Sequence, residues 1–228
     1  MTKIENMSDI KTFIKTLKEK PIAVFGLARS GLSVIKAFAS HHKVIAWDDN
    51  AESRSKAEAL GAALKPLTPE ALKNCAFLIL SPGVPLTHPQ PHDVVKAAQA
   101  AGIEIICDIE LFHRVYPQIK TIGITGTNGK STTTALIGHI LNGAGKTAIV
   151  GGNIGQPVFD LPPPHSNDIA VFELSSYQID LCPTFRPQIS ILLNITPDHI
   201  DRHGTLDHYA AVKARIFEGS GAAIIGTD

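Results

Sequence analysis

From Pro21 onward the chain alternates short, wholly apolar runs with glycine-bearing turns and amphipathic stretches, and the alternation starts twice. Ile22, Ala23, Val24 and Phe25 form the first run, residues 26–31 a turn and residues 32–39 a helix. Strands are expected next at 43–47, 77–80 and 103–106, with a helix over 93–101. The second series opens at 121–124, passes through a glycine-rich loop and enters a helix over 130–141. Strands at 147–150, 169–172 and 189–193, a proline loop at 162–164, a helix over 206–217 and an apolar run at 222–225 complete it. Strands apolar on both faces need helices on both faces, which means mostly parallel sheets. Two α/β domains are expected, joined near residues 108–120. Ahead of them, residues 8–18 read as a short packing helix, with Ser8 as N-cap and Ile10, Phe13, Ile14 and Leu17 at helical spacing.

The chain has 228 residues, 44% of them hydrophobic, enough to bury a proper core in one large or two modest domains. Lys+Arg and Asp+Glu are both 21, so no basic surface invites a nucleic acid or an anionic membrane. Phosphate binding, if present, is local. Cys75, Cys107 and Cys182 are odd in number and far apart in sequence, which argues against a disulfide framework or a cysteine zinc site. The N-terminus has no uninterrupted apolar stretch of signal-peptide or membrane-helix character, so a cytoplasmic location is expected. The run at 222–225 reads as a strand just before the last residue, which suggests a fragment of a longer protein.

Gly126, Thr127, Asn128, Gly129, Lys130, Ser131 and Thr132 stand between an expected strand and an expected helix, where a phosphate loop belongs. Glycines let backbone N–H groups turn around phosphate oxygens, and the helix N-terminus adds a favourable dipole. Lys130 can reach the β- and γ-phosphates of ATP, and the Ser131 hydroxyl can ligate Mg²⁺. The loop is shorter than the general pattern, with Gly126 serving as its first glycine. Upstream, residues 26–31 read G-x-A-x-x-G, with Asp48 ending the next strand where an acidic residue often holds a ribose. Three readings compete there: NAD(P), another nucleotide, or a tight turn with no ligand. The phosphate loop favours the second. Glu173, at a strand end beyond that loop, suits the Mg²⁺ of a bound nucleotide. In the stretch Asp198, His199, Ile200, Asp201, Arg202, His203, hard-ligand preference points to Asp198 rather than His199 as the metal ligand. From the residues alone, Lys213 is an ordinary surface lysine.

Together these stretches resemble the Mur ligases of bacterial cell-wall synthesis and, more distantly, folylpolyglutamate synthase. The shared block is residues 126–132 with Glu173 and His199 downstream. The stretches at 81–83, 88–89, 108–112, 151–155, 173–178 and 198–203 resemble the branch that adds D-glutamate to UDP-N-acetylmuramoyl-L-alanine. The resemblance implies an N-terminal Rossmann-like parallel-sheet domain followed by the front part of a P-loop-type ATPase α/β domain. It implies a helical extension over 1–20, a UDP-substrate domain over 21–112 and an incomplete ATP-binding domain over 113–228, with the family's C-terminal domain lacking. It gives the ATP phosphates to Lys130 and its loop and the metal to Ser131, Glu173, His199 and a carbamylated Lys213. Lys130, His199 and Lys213 are the implied catalytic residues, and Arg29, Ser30, Asp48, Ser81 and Asn153 the implied contacts to the UDP substrate. The implied cofactors are ATP and Mg²⁺, and the implied partners are small molecules only, acting on a monomer. Alternatives are another ligase of Mur or folylpolyglutamate type, an NAD-dependent oxidoreductase, or a non-catalytic nucleotide-binding module.

Overall fold

The structure, a computed structural model, describes residues 9–219 and 221–227. The expected N-cap Ser8 lies outside these residues. The helix α1 (Ile10–Thr16) is instead capped by Asp9, whose carboxylate accepts the Thr12 N–H at 2.7 Å.

The first lobe runs β1 (Ile22–Phe25), α2 (Arg29–Phe38), β2 (Val44–Trp47), α3 (Ala51–Ala59), β3 (Ala63–Leu64), α4 (Pro69–Leu72), β4 (Leu78–Leu80), α5 (Asp93–Ala101) and β5 (Ile105–Ile106). Its strands lie in the order β3-β2-β1-β4-β5, all pairs parallel. The order reverses between β1 and β4, so a crevice opens beyond their carboxyl ends. A helix, α6 (Asp108–Val115), leads to the second lobe. There follow β6 (Lys120–Thr125), α7 (Lys130–Gly143), β7 (Ala148–Gly152), β8 (Ile169–Glu173), α8 (Ser176–Asp180), β9 (Ile189–Leu192), α9 (Ile200–His203), α10 (Leu206–Ala214) and β10 (Ala222–Ile225). Their order is β10-β9-β6-β8-β7, again parallel throughout. Both parallel sheets are as the apolar runs require. The helix expected over 206–217 ends at Ala214 and tightens into a 3₁₀ turn over Arg215–Phe217.

Where the sequence suggests a join between domains, α6 is a packed element. Ile109, Leu111 and Val115 are fully buried and Phe112 is 2% exposed. The Phe112 ring meets Phe172 of β8 edge-on at 5.2 Å, and Phe159 at 6.0 Å. Phe159 in turn meets Phe38 of α2 at 5.4 Å. One hydrophobic core therefore runs from the first sheet through α6 to one face of the second. Full burial of a side chain of this size contributes roughly 2–3 kcal/mol. The other face of the second sheet has its own small core of Ile122, Ile124, Val171 and Ile191 beneath α7. Glu110 is buried, accepts N–H groups from Thr184 (3.1 Å) and Phe185 (2.9 Å), and pairs with Arg114 at 2.7 Å. A buried carboxylate needs such partners, and these tie α6 to the segment after α8. Among the described residues no helix is long and apolar enough to cross a membrane.

Candidate active site

The loop from Gly126 to Gly129 connects β6 to α7 and turns left-handed at both ends, with φ of +151° at Gly126 and +82° at Gly129. A Cβ on Gly126 would stand 3.0 Å from the Leu193 Cβ, so the position needs glycine for space as well as for conformation. The segment after β9 braces the loop from the side. Asn194 O accepts the Thr127 N–H at 3.0 Å, Asn194 Oδ1 accepts the Asn128 N–H at 2.9 Å, and the Thr127 hydroxyl accepts the Thr196 N–H at 3.0 Å. Lys130 opens α7 and folds over the loop, its Nζ donating to Gly126 O at 3.0 Å and Thr127 O at 2.7 Å. Ser131 and Thr132 follow on the first helical turn. The result is a strand, a tight glycine loop and a helix N-terminus carrying an ammonium, which is the geometry of an anion cradle.

Glu173 ends β8 at 2% exposure and divides its oxygens between two partners. Ser131 Oγ donates to Oε2 at 2.7 Å, and Asn153 Nδ2 donates to Oε1 at 2.7 Å. Lys213, on α10, is not a surface lysine: it is 1% exposed, with Nζ donating to Thr125 Oγ1 at 3.1 Å and Gly126 O at 2.9 Å. Burial, then the nearby charge of Lys130, lowers its pKa to about 7. Burial therefore favours the neutral amine at this position. Val212, the residue before it on α10, is buried as well, and nothing in the local pattern separates a buried lysine there from a solvated one. His199 stands apart, in the left-handed region (φ +53°) at the start of α9, its N–H on Asp198 Oδ1 at 2.9 Å and its ring 5.0 Å from Tyr177. Among the described residues no group of three or more His, Cys, Asp and Glu side chains is placed to hold a metal ion. Ser131 and Glu173 nevertheless offer adjacent hard oxygens beside the loop. Mg²⁺ characteristically takes few protein ligands and completes its shell with phosphate and water.

Three of the remaining residues, Arg29, Ser30 and Asn153, line a cleft of about 250 Å³ between the lobes. Arg29 and Ser30, at the start of α2, face Asn153 and Gln178 across it, with Pro82, Gly83 and Asp108 on its walls. The Arg29 guanidinium crosses the cleft to donate to Gly155 O. Asp48 and Ser81 lie outside the lining and shape the glycine turn. Asp48 Oδ2 accepts the Leu27 N–H at 2.5 Å, and Ser81 packs against Gly26 so closely that a Cβ there would approach Ser81 Cβ to 2.4 Å. A second hollow of about 310 Å³ opens beside the turn, with Phe25, Trp47 and His92 in its walls. Asp108 and Gln178 are the polar lining side chains to which the sequence reading gives no role. Both lie within stretches that carry the family resemblance. Gln178 shows a further local signal, a capping box with Ser175 that fixes its side chain at the start of α8.

A parallel-sheet lobe with a glycine turn, followed by a parallel-sheet lobe with a glycine loop at a helix N-terminus, defines a two-lobe parallel α/β protein. Comparison narrows this class. The family described as "Mur ligase MurD-like, N-terminal domain" matches residues 20–107, and "Mur ligase middle domain" matches residues 124–228. Over 220 residues the chain is 51% identical to the UDP-N-acetylmuramoylalanine–D-glutamate ligase of Brucella abortus (strain 2308) and 52% identical to that of Rhizobium etli. These alignments cover 94% of this chain and 47% of each relative, so the chain spans about half their length. A solved structure of UDP-N-acetylmuramate:L-alanyl-gamma-D-glutamyl-meso-diaminopimelate ligase from Neisseria meningitides shares the fold, with a TM-score of 0.54 at 21% identity, over 90% of this chain and 71% of that one. The chain belongs to the Mur ligase family. Its glycine turn lies within the matched N-terminal domain.

Proposed function

We propose that this chain forms the substrate-nucleotide and ATP lobes of a ligase that adds D-glutamate to UDP-N-acetylmuramoyl-L-alanine, as the named relatives do. The observation that carries this reading is the hydrogen-bonded track Asn153–Glu173–Ser131, with both links 2.7 Å long. It joins the cleft that would hold the UDP substrate to the loop that would hold ATP. Two such sites in contact suit a phosphoryl transfer from one ligand to the other.

In the proposed reaction the substrate carboxylate attacks the γ-phosphorus of ATP, and ADP leaves. The amine of D-glutamate then attacks the acyl carbon of the acyl phosphate, and phosphate departs as the amide forms. Lys130 and the N–H groups of its loop stabilise charge on the transferring phosphoryl group. Asn153 and Glu173 orient the two reactants. Ser131 and Glu173 would hold Mg²⁺, with His199 and a carbamylated Lys213 as further ligands, and the ion would supply charge neutralisation at the phosphates. Carbamylation requires the neutral amine, which the depressed pKa of Lys213 provides. The first lobe's hollow beside Trp47 offers aromatic walls to a planar base. ATP as co-substrate assigns the reaction to the cytoplasm.

Calorimetric titration tests this reading. The wild-type chain is expected to bind UDP-N-acetylmuramoyl-L-alanine and Mg²⁺-ATP. Lys130→Ala should lose at least tenfold in ATP affinity while keeping the UDP substrate. A folded chain that ignores the UDP substrate would overturn the assignment of the first lobe.

A further inference from the structure

Asp108 is the first residue of α6, is 3% exposed, and lines the interlobe cleft. Its Oδ1 is buried and has no hydrogen-bond partner among the described residues. The other large polar side chains of the cleft are committed. Arg29 donates to Gly155 O, Asn153 to Glu173, and Gln178 Oε1 accepts the Ser175 N–H at 3.0 Å. A buried carboxylate oxygen without a partner has lost its water and gained nothing in return, which is destabilising. This one points to a ligand that brings the missing donor.

The chemistry of that ligand is constrained. An ionised carboxylate only accepts hydrogen bonds, and so do phosphate oxygens. The phosphates of a nucleotide must then lie toward the N-terminus of α2 at Arg29 and Ser30, where backbone N–H groups and the guanidinium N–H groups not used on Gly155 O are available. What reaches Asp108 must carry an O–H or N–H. We propose that Asp108 is a specificity-determining acceptor, taking a hydrogen bond from a hydroxyl or amide N–H of the sugar–amino-acid part of the substrate and disfavouring a bare nucleotide in the same cleft. The proposal rests on the assignment of the UDP substrate to this cleft. Burial raises the Asp108 pKa to about 6, which leaves the carboxylate ionised at neutral pH and able to accept.

The test is calorimetry at neutral pH with two probes, UDP and UDP-N-acetylmuramoyl-L-alanine, on the wild type, Asp108→Ala and Asp108→Asn. The quantity read is the ratio of the two affinities. Asp108→Ala should lower the preference for the sugar nucleotide about tenfold, with UDP affinity unchanged or improved. Asp108→Asn keeps the shape and one acceptor, serves if the alanine variant does not fold, and should lower the ratio roughly threefold. A ratio equal to wild type in a folded variant overturns the proposal. So does an equal loss for both probes, because that marks a role in holding α6 rather than in selection. If the wild type binds neither probe, the cleft assignment itself fails and takes the proposal with it. If it binds UDP and sugar nucleotide with a ratio that Asp108 does not influence, only the proposal fails.

Discussion

His203 is 3% exposed, hydrogen-bonded through Nε2 to Ser176 Oγ at 2.8 Å, and stacked on Tyr177. Burial, then the positive neighbours His208, His199, Lys213 and Arg202, lower its pKa to about 4. Between its ordinary value near 6.5 and about 4, the unfolded chain takes up a proton that the folded chain refuses. Stability should therefore fall with pH across that window, by up to ~1.4 kcal/mol per unit. Urea unfolding of wild type and His203→Gln at pH 7 and pH 5 measures this, and the variant should lose less on acidification. Lys213 works over a different window. Its pKa falls from 10.5 to about 7 on folding, so the charged form is penalised in full below pH 7. As pH rises above 7 the folded chain sheds the proton first, and stability relative to Lys213→Met should rise. A difference between the two proteins that stays flat from pH 6.5 to 9 would contradict the buried ammonium. Neither environment is legible in the local pattern, and only the family resemblance singles out Lys213. A lysine or histidine acquires its environment from elements that come from elsewhere in the chain, here the phosphate loop for Lys213 and α8 for His203.

Regular elements were easier to read where one physical pattern dominated. The strands β1, β4, β6, β8 and β9 are short apolar runs bounded by turn residues, and the phosphate loop is marked by glycines at both ends of a tight turn. The shorter and more polar elements were hidden. Along α3, only Ala57 is buried, so no apolar stripe exists to be seen. In α6 the apolar positions are interspersed with two buried carboxylates, Asp108 and Glu110. Charges of that kind normally mark a solvent face, so the stretch reads as a join between domains and proves to be a buried helix. The site divides the same way. Ser131 and Glu173 could be placed by position relative to the loop, whereas the bonds that join them to Asn153 depend on pairing of β8 with β6 and β7. Glu110 supplies a prediction for α6. Glu110→Ala leaves Arg114 half-buried without this carboxylate and removes the acceptor for two N–H groups, at a cost of about 3 kcal/mol, measured by denaturant unfolding. A change under about 1 kcal/mol would place the pair among weak surface bridges.

At the scale of the molecule, the two lobes have separate sheets but share a core. Polar contacts also join the two lobes. Arg202 Nη1 donates to Gly83 O at 3.0 Å, Lys36 meets Asp160 at 3.1 Å, and the Cys107 N–H donates to Leu181 O at 3.1 Å. The chain's one tryptophan, Trp47, is in the first lobe, so its fluorescence reports that lobe alone. Far-ultraviolet circular dichroism reports both. The two signals should fall together in urea as a single transition. Midpoints that separate would show that the lobes unfold independently.

The seating of α6 between the sheets also bears on how far such lobes can be exchanged. A chimera built by cutting after Cys107, where the first family match ends, would take α6 from one parent and the surface of the first lobe from the other. Cutting after Val115 would instead part Phe112 from the Phe159 and Phe172 rings it grew up against. Either junction pairs a helix with a socket it was not shaped for, so the lobes can be traded between relatives only where the helix and both of its sockets match.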